Sequence, residues 1–214
     1  MVKKIGYKKG YKKGYKKRYP KRIPRNLTPK NVHYFKRNVL IGDLSKSSGT
    51  ASYLNGYQFQ LNDCINYSEF TALYDFYKIC AVKIRVIPGW TVGNVDVNTG
   101  APVSAQVNLA SARIFSAIDY NDSSNPSTIN EIREYGNCKM SSFVKGHKRY
   151  FKPQVQDSSS SYTIGRKAWI DTATPSKAYY GLKLGIDFNG YSFLSTTIVG
   201  KVEAVYYIKC KSVR

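Results

Sequence analysis

Lysine pairs and tyrosines alternate at the start of the chain: Gly-Tyr-Lys-Lys occurs at Gly6–Lys9, Gly10–Lys13 and Gly14–Lys17, preceded by Lys3 and Lys4. Arg18, Tyr19, Lys21, Arg22 and Arg25 extend the pattern through Arg-Tyr-Pro-Lys-Arg-Ile-Pro-Arg. The chemistry available to such a segment is noncovalent. Lys3, Lys4, Lys8, Lys9, Lys12, Lys13, Lys16, Lys17, Arg18, Lys21, Arg22 and Arg25 can neutralise phosphates and release their counterions. Tyr7, Tyr11, Tyr15 and Tyr19 can stack on unpaired bases, a contact that tolerates any sequence. A merely solubilising charge run has no use for an aromatic ring at a fixed interval, so the interleaving points to nucleic acid. Lys16, Lys17, Arg18, Lys21, Arg22 and Arg25 also form the kind of short basic cluster that nuclear import machinery reads.

The other residues that could do chemistry lack the required spacing. Cys64, Cys80, Cys138 and Cys210 are far apart with no Cys-x-x-Cys, and only His33 and His147 could complete a metal site. Free thiols, mostly buried, are the expected state, and no metal or cofactor is expected. Cupin-type chemistry needs clustered His and carboxylate ligands that are absent around both histidines. No phosphate-cradling G-x-x-x-x-G-K-[ST] occurs. Asp119, Asp122, Asp171 and Asp187 could be considered as acid–base pairs, but Asp119 and Asp122 lie in Asp-Tyr-Asn-Asp-Ser-Ser-Asn-Pro, where Asp and Asn are ordinary turn formers. The chain is therefore not expected to be an enzyme.

Position matters more than total charge. The 214 residues carry 34 Lys plus Arg against 13 Asp plus Glu, a formal charge of +21. Met1–Arg37 holds 15 of the basic residues and no acid, leaving 19 basic and 13 acidic residues, a balance of only +6, in the remainder. A glycine at every fourth position costs a helix about 1 kcal/mol each relative to Ala, and adjacent lysines repel, so the arm is expected to be disordered in isolation. Pro20, Pro24 and Pro29 keep the chain extended up to Val32, where apolar alternation begins. The expected division is a basic arm over residues 1–31 and a folded domain over 32–214. No apolar run approaches the roughly 18 residues of a membrane span, so no membrane insertion is expected. The lysine-rich start lacks the apolar stretch of a secretory signal, so the mature chain is expected to begin at Met1 and the Asn-x-Ser/Thr sequences at Asn26 and Asn66 to go unused.

From Val32 onward, short β-branched and aromatic segments alternate with Gly, Asn, Asp, Ser and Pro clusters, which predicts an all-β sandwich or barrel. Eight strands are expected, near Val32–Ile41, Thr50–Leu61, Phe76–Ile87, Ser111–Asp119, Lys139–Lys152, Tyr162–Ile170, Ala178–Phe188 and Gly200–Lys211. The clearest alternation puts Cys80, Val82, Ile84 and Val86 in the core and Lys83 and Arg85 opposite. The last strand puts Val202, Ala204, Tyr206 and Ile208 on one face and Lys201, Glu203, Val205, Tyr207 and Lys209 on the other. Neither of that strand's faces is wholly polar, which suits a subunit covered by neighbours. Short helices are expected at Tyr67–Tyr74 and Thr128–Tyr135, the latter capped by Ser127 or Thr128 with Glu131 in its first turn. Loops are expected at Pro88–Val107, Tyr120–Ser127 and Gln154–Ser161. The whole fits an eight-stranded jelly roll of two four-stranded antiparallel sheets better than an immunoglobulin sandwich, whose Cys-Trp-Cys spacing is missing.

Three features together resemble a known family. They are the Tyr-interleaved basic arm; Tyr74-Asp75-Phe76-Tyr77-Lys78-Ile79 leading into Val82-Lys83-Ile84-Arg85-Val86-Ile87-Pro88; and Asp119-Tyr120-Asn121-Asp122 before a helical stretch. The last strand, Val205-Tyr206-Tyr207-Ile208-Lys209-Cys210, adds an aromatic-rich terminus. The chain is similar to the capsid proteins of circular, Rep-encoding single-stranded DNA viruses, the circovirus-like group. The resemblance implies a viral jelly roll whose sixty copies self-assemble into a T=1 icosahedral virion, with arms inward around a circular single-stranded DNA genome. It also implies passage through the host nucleus and cytoplasm during assembly, and a host-cell receptor of unknown identity. One departure is that Lys dominates this arm where Arg dominates the family's, giving point charges in place of bidentate forks. Two other classes compete: a cellular RNA- or single-strand-binding protein with a basic tail, which would stay a small monomer or join a ribonucleoprotein, and a jelly-roll lectin or receptor-binding module using loops such as Gly89-Trp90-Thr91, in which the arm has no role.

Overall fold

The computed structural model describes residues 32–46, 52–89, 94–96, 106–108, 111–156, 163–164, 168–189 and 197–213. In chain order the strands are β1 (Val32–Lys46), β2 (Ser52–Phe59), β3 (Tyr74–Pro88), β4 (Asn94–Asp96), β5 (Gln106–Asn108), β6 (Arg113–Ala117), β7 (Lys139–Ser142), β8 (His147–Phe151), β9 (Gln154–Gln156), β10 (Thr163–Ile164), β11 (Ile170–Asp171), β12 (Tyr179–Asp187) and β13 (Thr197–Val213). Two short helices, α1 (Tyr67–Leu73) and α2 (Ile129–Glu134), sit in the connections before β3 and β7.

All the strands but β4 and β5, which pair only with each other, form two antiparallel sheets packed as a sandwich. In the first, β1 pairs β13, β13 pairs β3, and β3 pairs both β8 and β11. In the second, β12 is central, pairing β2, β6 and β9, with β7 beyond β6 and β10 beyond β9. The first and last strands therefore lie side by side, the long-range closure that separates a jelly roll from a simple meander. Between the sheets lies one apolar core that includes Leu44, Phe59, Tyr77, Val82, Ile84, Leu184, Ile186, Val202 and Tyr206.

The all-β class and jelly-roll architecture match expectation, while the strand count exceeds eight. Four-stranded arrays β1-β13-β3-β8 and β2-β12-β6-β7 carry the sandwich, and the short strands β4, β5, β9, β10 and β11 are additional. Two of these, β4 and β5, pair within the expected Pro88–Val107 loop, and β9 occupies the start of the expected Gln154–Ser161 loop. The expected strand Tyr162–Ile170 is replaced by β10 and β11, which belong to different sheets.

The expected strand Lys139–Lys152 is likewise two strands in different sheets. The break has a local cause: Phe143 is fully buried, Gly146 adopts φ 69°, and the Gly146 N–H donates to the Phe143 carbonyl at 2.8 Å. A left-handed glycine turn dips the chain into the core and redirects it to the other sheet. Alternation cannot reveal this, because it continues on both sides of the turn.

The two outer faces of the sandwich differ sharply. Over the second sheet lies α2, whose Ile132 is fully buried against Phe115 and Ala117. The helix comes so close to β12 that a methyl group added at Gly185 would meet Ile132 Cδ1 at 2.6 Å and Ile129 Cδ1 at 2.7 Å. Thr128 caps α2, its hydroxyl accepting from the Glu131 N–H at 3.1 Å, while the Ser127 N–H donates to Glu131 Oε2 at 2.7 Å. The first sheet has no such helix across β1, β13 and β3 among the described residues, and on that side Tyr34 is 70% and Tyr150 58% exposed.

Candidate nucleic-acid interface

The expected arm residues, from Lys3 to Arg25, lie outside the described residues. Within the folded domain, the structure brings together a second set of basic and aromatic side chains on the open face of the first sheet.

Strand alternation builds this face. On β13, Val202, Ala204, Tyr206 and Ile208 are buried in the core, so Glu203, Val205, Tyr207 and Lys209 turn to the outer face, where Val205 is covered by its neighbours. On β3, Ile79, Val82, Ile84 and Val86 are buried, and Lys78, Lys83 and Arg85 turn outward. Cys80 corrects the expectation that it belongs to the core. Tyr207 pairs with Ala81 and Ile208 with Ile79, so Cys80 is an extra residue in β3. This β-bulge shifts the inside–outside parity by one, and Cys80 lines the outer face instead. Of the four free thiols, Cys64 and Cys210 are buried and Cys80 and Cys138 are half-buried. On β8, His147, Arg149 and Phe151 are buried, which leaves Lys148 and Tyr150 exposed.

Register then assembles the outward residues into rows. Lys209 stands between Tyr34 and Lys78, and Tyr207 stands opposite Lys36. Val205 stands between Asn38 and Lys83, with Tyr150 beyond Lys83. These three rows contain lysines and no carboxylate. Among the described residues, acids enter at the margins: Glu203, whose carboxylate lies 3.5 Å from Arg85, Asp43 opposite Lys201, and Asp171 opposite Phe76. The Lys209 ammonium sits 4.7 Å from the Tyr34 ring centre, and Lys211 lies 4.8 Å from both Phe76 and Trp169. Tyr150 and Tyr207 meet edge to face with ring centres 6.0 Å apart. Both rings line a shallow cleft of about 600 Å³, to which Tyr34, Ala81, Ile208, Lys36, Lys152 and Lys209 also contribute.

β8 is held to this face from behind by His147. The Ser141 hydroxyl donates to the Gly146 carbonyl at 3.1 Å, so its oxygen accepts from His147 Nδ1–H at 2.9 Å, and Nε2 accepts from the Ser116 hydroxyl at 2.8 Å. Burial, aided by Arg149 and Lys139, pulls the imidazole from 6.5 down to about 4. The stability that the neutral ring supplies is complete above pH 6.5, where it is neutral in the unfolded chain too. It falls as pH drops from 6.5 toward 4, by about 2 kcal/mol at pH 5 and about 3 kcal/mol in all. Urea unfolding at pH 7 and pH 5 is expected to show this loss in the parent chain and a much smaller one in His147→Gln. Equal losses in the two proteins would refute the assignment.

The aspartates behave as turn residues. The Asp119, Asp122, Asp171 and Asp187 carboxylates each accept from the backbone N–H two residues on, at Asn121, Ser124, Ala173 and Asn189, at 2.8–2.9 Å. His33 stacks on Tyr74 while His147 is buried between its two serines, and among the described residues no cluster of His, Cys, Asp and Glu could hold a metal. No helix among them is long and apolar enough to cross a membrane.

Sequence reasoning had named the outward sets of β3 and β13 separately. It missed that they lie side by side and that Tyr34, Lys36, Tyr150 and Lys152 complete the surface. The available signal was the shared Lys/Tyr composition of all four strands.

No curated protein matches the chain in sequence. Its fold is shared with solved viral shells. The 60-mer of the BFDV capsid protein aligns with a TM-score of 0.57 at 12% identity, over 85% of this chain and 95% of that one. A decamer of BFDV capsid protein aligns at 0.54 and 13% identity, over 85% and 99%. Tobacco necrosis virus aligns at 0.54 and 11% identity, over 86% and 97%. At these identities the likeness concerns fold alone. The family model described as "Circovirus capsid protein" matches residues 8–214, from within the lysine–tyrosine repeats to the C-terminus. Across both its basic arm and its jelly roll, then, the chain belongs to the circovirus capsid protein family, a structural virion component and not an enzyme.

Proposed function

We propose that this chain is the shell subunit of a small icosahedral particle, that sixty copies close the shell, and that residues 1–31 package a circular single-stranded DNA genome while 32–214 build the wall. The observation that carries this reading is the family match running through arm and body together. Closure by sixty copies is supported by the 60-mer of the BFDV capsid protein, which shares the fold. Packaging through the arm is supported by twelve cations and four regularly placed tyrosines between Met1 and Arg25, with no acid among them. Lys16, Lys17, Arg18, Lys21, Arg22 and Arg25 are proposed to serve also as a nuclear import signal, with the protein passing through host cytoplasm and nucleus before assembly.

Electron microscopy and sedimentation of the purified full-length protein test the assembly claim. Uniform closed particles holding nuclease-protected single-stranded DNA are expected. A small monomer, or a complex built on cellular RNA, would overturn it.

A further inference from the structure

We propose that the open face of the first sheet is itself a seat for single-stranded nucleic acid, distinct from the arm, with the strand lying over the cleft bounded by Tyr34, Tyr150 and Tyr207. The inference rests on the proposed function only in identifying the strand as the packaged genome; the chemistry of the face stands by itself.

Charge supplies the first part of the argument. Lys78 and Lys209 are directly paired across β3 and β13, and like charges facing each other across a ladder destabilise a sheet. The described rows that hold Lys209, Lys36 and Lys83 contain no carboxylate, so the stripe is positive along its length. A polyanion laid along the stripe offsets that repulsion and releases its counterions. Successive same-face residues on a strand are about 6.8 Å apart, so the cations recur along the cleft and do not form a point site. A polymer fits this arrangement and a small anion does not.

Rings narrow the choice of polymer. Tyr34 and Tyr150 are 70% and 58% exposed, and Tyr150 and Tyr207 hold each other edge to face. Lys209 is already over the Tyr34 ring at 4.7 Å. Exposed rings flanked by cations match the stacking platforms of single-strand binders, which any unpaired base can occupy. A duplex hides its base faces and so does not use the tyrosines. The contrast with the second sheet supports the assignment: its outer face is covered by α2, whereas among the described residues no helix covers this one. The consequence for assembly is that the β1-β13-β3-β8 face looks into the particle.

The experiment uses the full-length chain and two probes of equal length, oligo-dT and an abasic oligonucleotide. Photocross-linking to iodouracil-substituted oligo-dT is expected to label peptides containing Tyr150 or Tyr207 as well as arm peptides. Tyr150→Ala with Tyr207→Ala is expected to weaken oligo-dT binding at least fivefold, since about 1 kcal/mol or more per stacked base is a factor of about five, and to leave abasic binding unchanged. Lys78→Ser with Lys209→Ser is expected to weaken both probes and reduce the salt slope by about 1.4. Cross-links confined to the arm, with both double variants unchanged, would overturn the inference and leave the arm reading intact. Loss in these variants, alongside an arm variant (Lys8, Lys9, Lys12 and Lys13 to Ser) that binds normally, would do the reverse. Equal loss of oligo-dT and abasic binding in the tyrosine variant would mark a general polyanion surface and also overturn it. Should the double variants fail to fold, the cross-link map of the unaltered chain decides.

Discussion

Deleting Met1–Arg25 is expected to remove most of the salt-sensitive affinity for single-stranded DNA while leaving shell formation possible. The deleted segment carries Lys3, Lys4, Lys8, Lys9, Lys12, Lys13, Lys16, Lys17, Arg18, Lys21, Arg22 and Arg25 and no carboxylate. Each phosphate neutralised on a single strand contributes about −0.7 to the slope of log affinity against log salt, so full engagement of twelve cations gives a slope of about −8. Between 50 and 200 mM salt that slope corresponds to a loss on the order of 10⁴–10⁵ in affinity. Filter binding to oligo-dT across that range is expected to show a steep line for the full chain and a shallow one for the truncated chain. Replacing Tyr7, Tyr11, Tyr15 and Tyr19 by Ser is expected to lower affinity at every salt without changing the slope, because stacking involves no counterion. An unchanged slope after truncation would sink the arm as the packaging element. Among the described residues the sheet-to-sheet core runs from Val39 to Cys210, and the truncation removes none of them.

What could be read without the structure follows from how far each signal reaches along the chain. The buried sets of β3 and β13 were legible because each is periodic within one strand, and Asp119 and Asp122 were legible as turn residues because their partners are two positions away. Cys80 was misassigned because the bulge that expels it is a property of the β3–β13 pair, about 130 residues apart, and not of β3 alone. The single long strand expected at Lys139–Lys152 failed because Gly146 turns the chain between sheets without interrupting the alternation. The basic face was hidden for the same reason as Cys80: its rows draw on β1, β3, β8 and β13, and only the closure of first strand on last makes them neighbours. The arm is the opposite case, since its repeat is wholly local and the structure describes none of it.

Lys183→Met is expected to destabilise the folded domain by about 3–5 kcal/mol, the usual cost of removing one partner from a buried ion pair. Lys183 sits between Leu182 and Leu184 in the middle strand of the second sheet, almost wholly buried on the face that α2 and the 118–128 connection cover. Its ammonium lies 3.3 Å from Asp119, 3.1 Å from Asp122 and 4.0 Å from Glu131. Burial opposes the charge, but hydrogen bonds to Asp122 and Asp119 outweigh it and hold the lysine's pKa above its ordinary 10.5. Its contribution is therefore complete below pH 10.5 and lost only as pH rises through that higher value. Asp122, held below 3.8 chiefly by the Ser124 hydroxyl, keeps its share above pH 3.8 and loses it as pH falls further. With methionine in place of the ammonium, Asp119, which is 6% exposed, keeps a buried negative charge supported only by Tyr135 and its own turn N–H. Asp119→Asn in the same chain removes that charge and retains an oxygen for the turn, so the double variant Lys183→Met/Asp119→Asn is expected to recover most of the loss. Thermal unfolding at pH 7 reads the difference: a fall in Tm on the order of 10 °C for Lys183→Met, and a smaller one for the double variant. Additive losses in the pair would show that Lys183 and Asp119 act independently and that the cluster is not what fastens α2 and its preceding turn to the sheet.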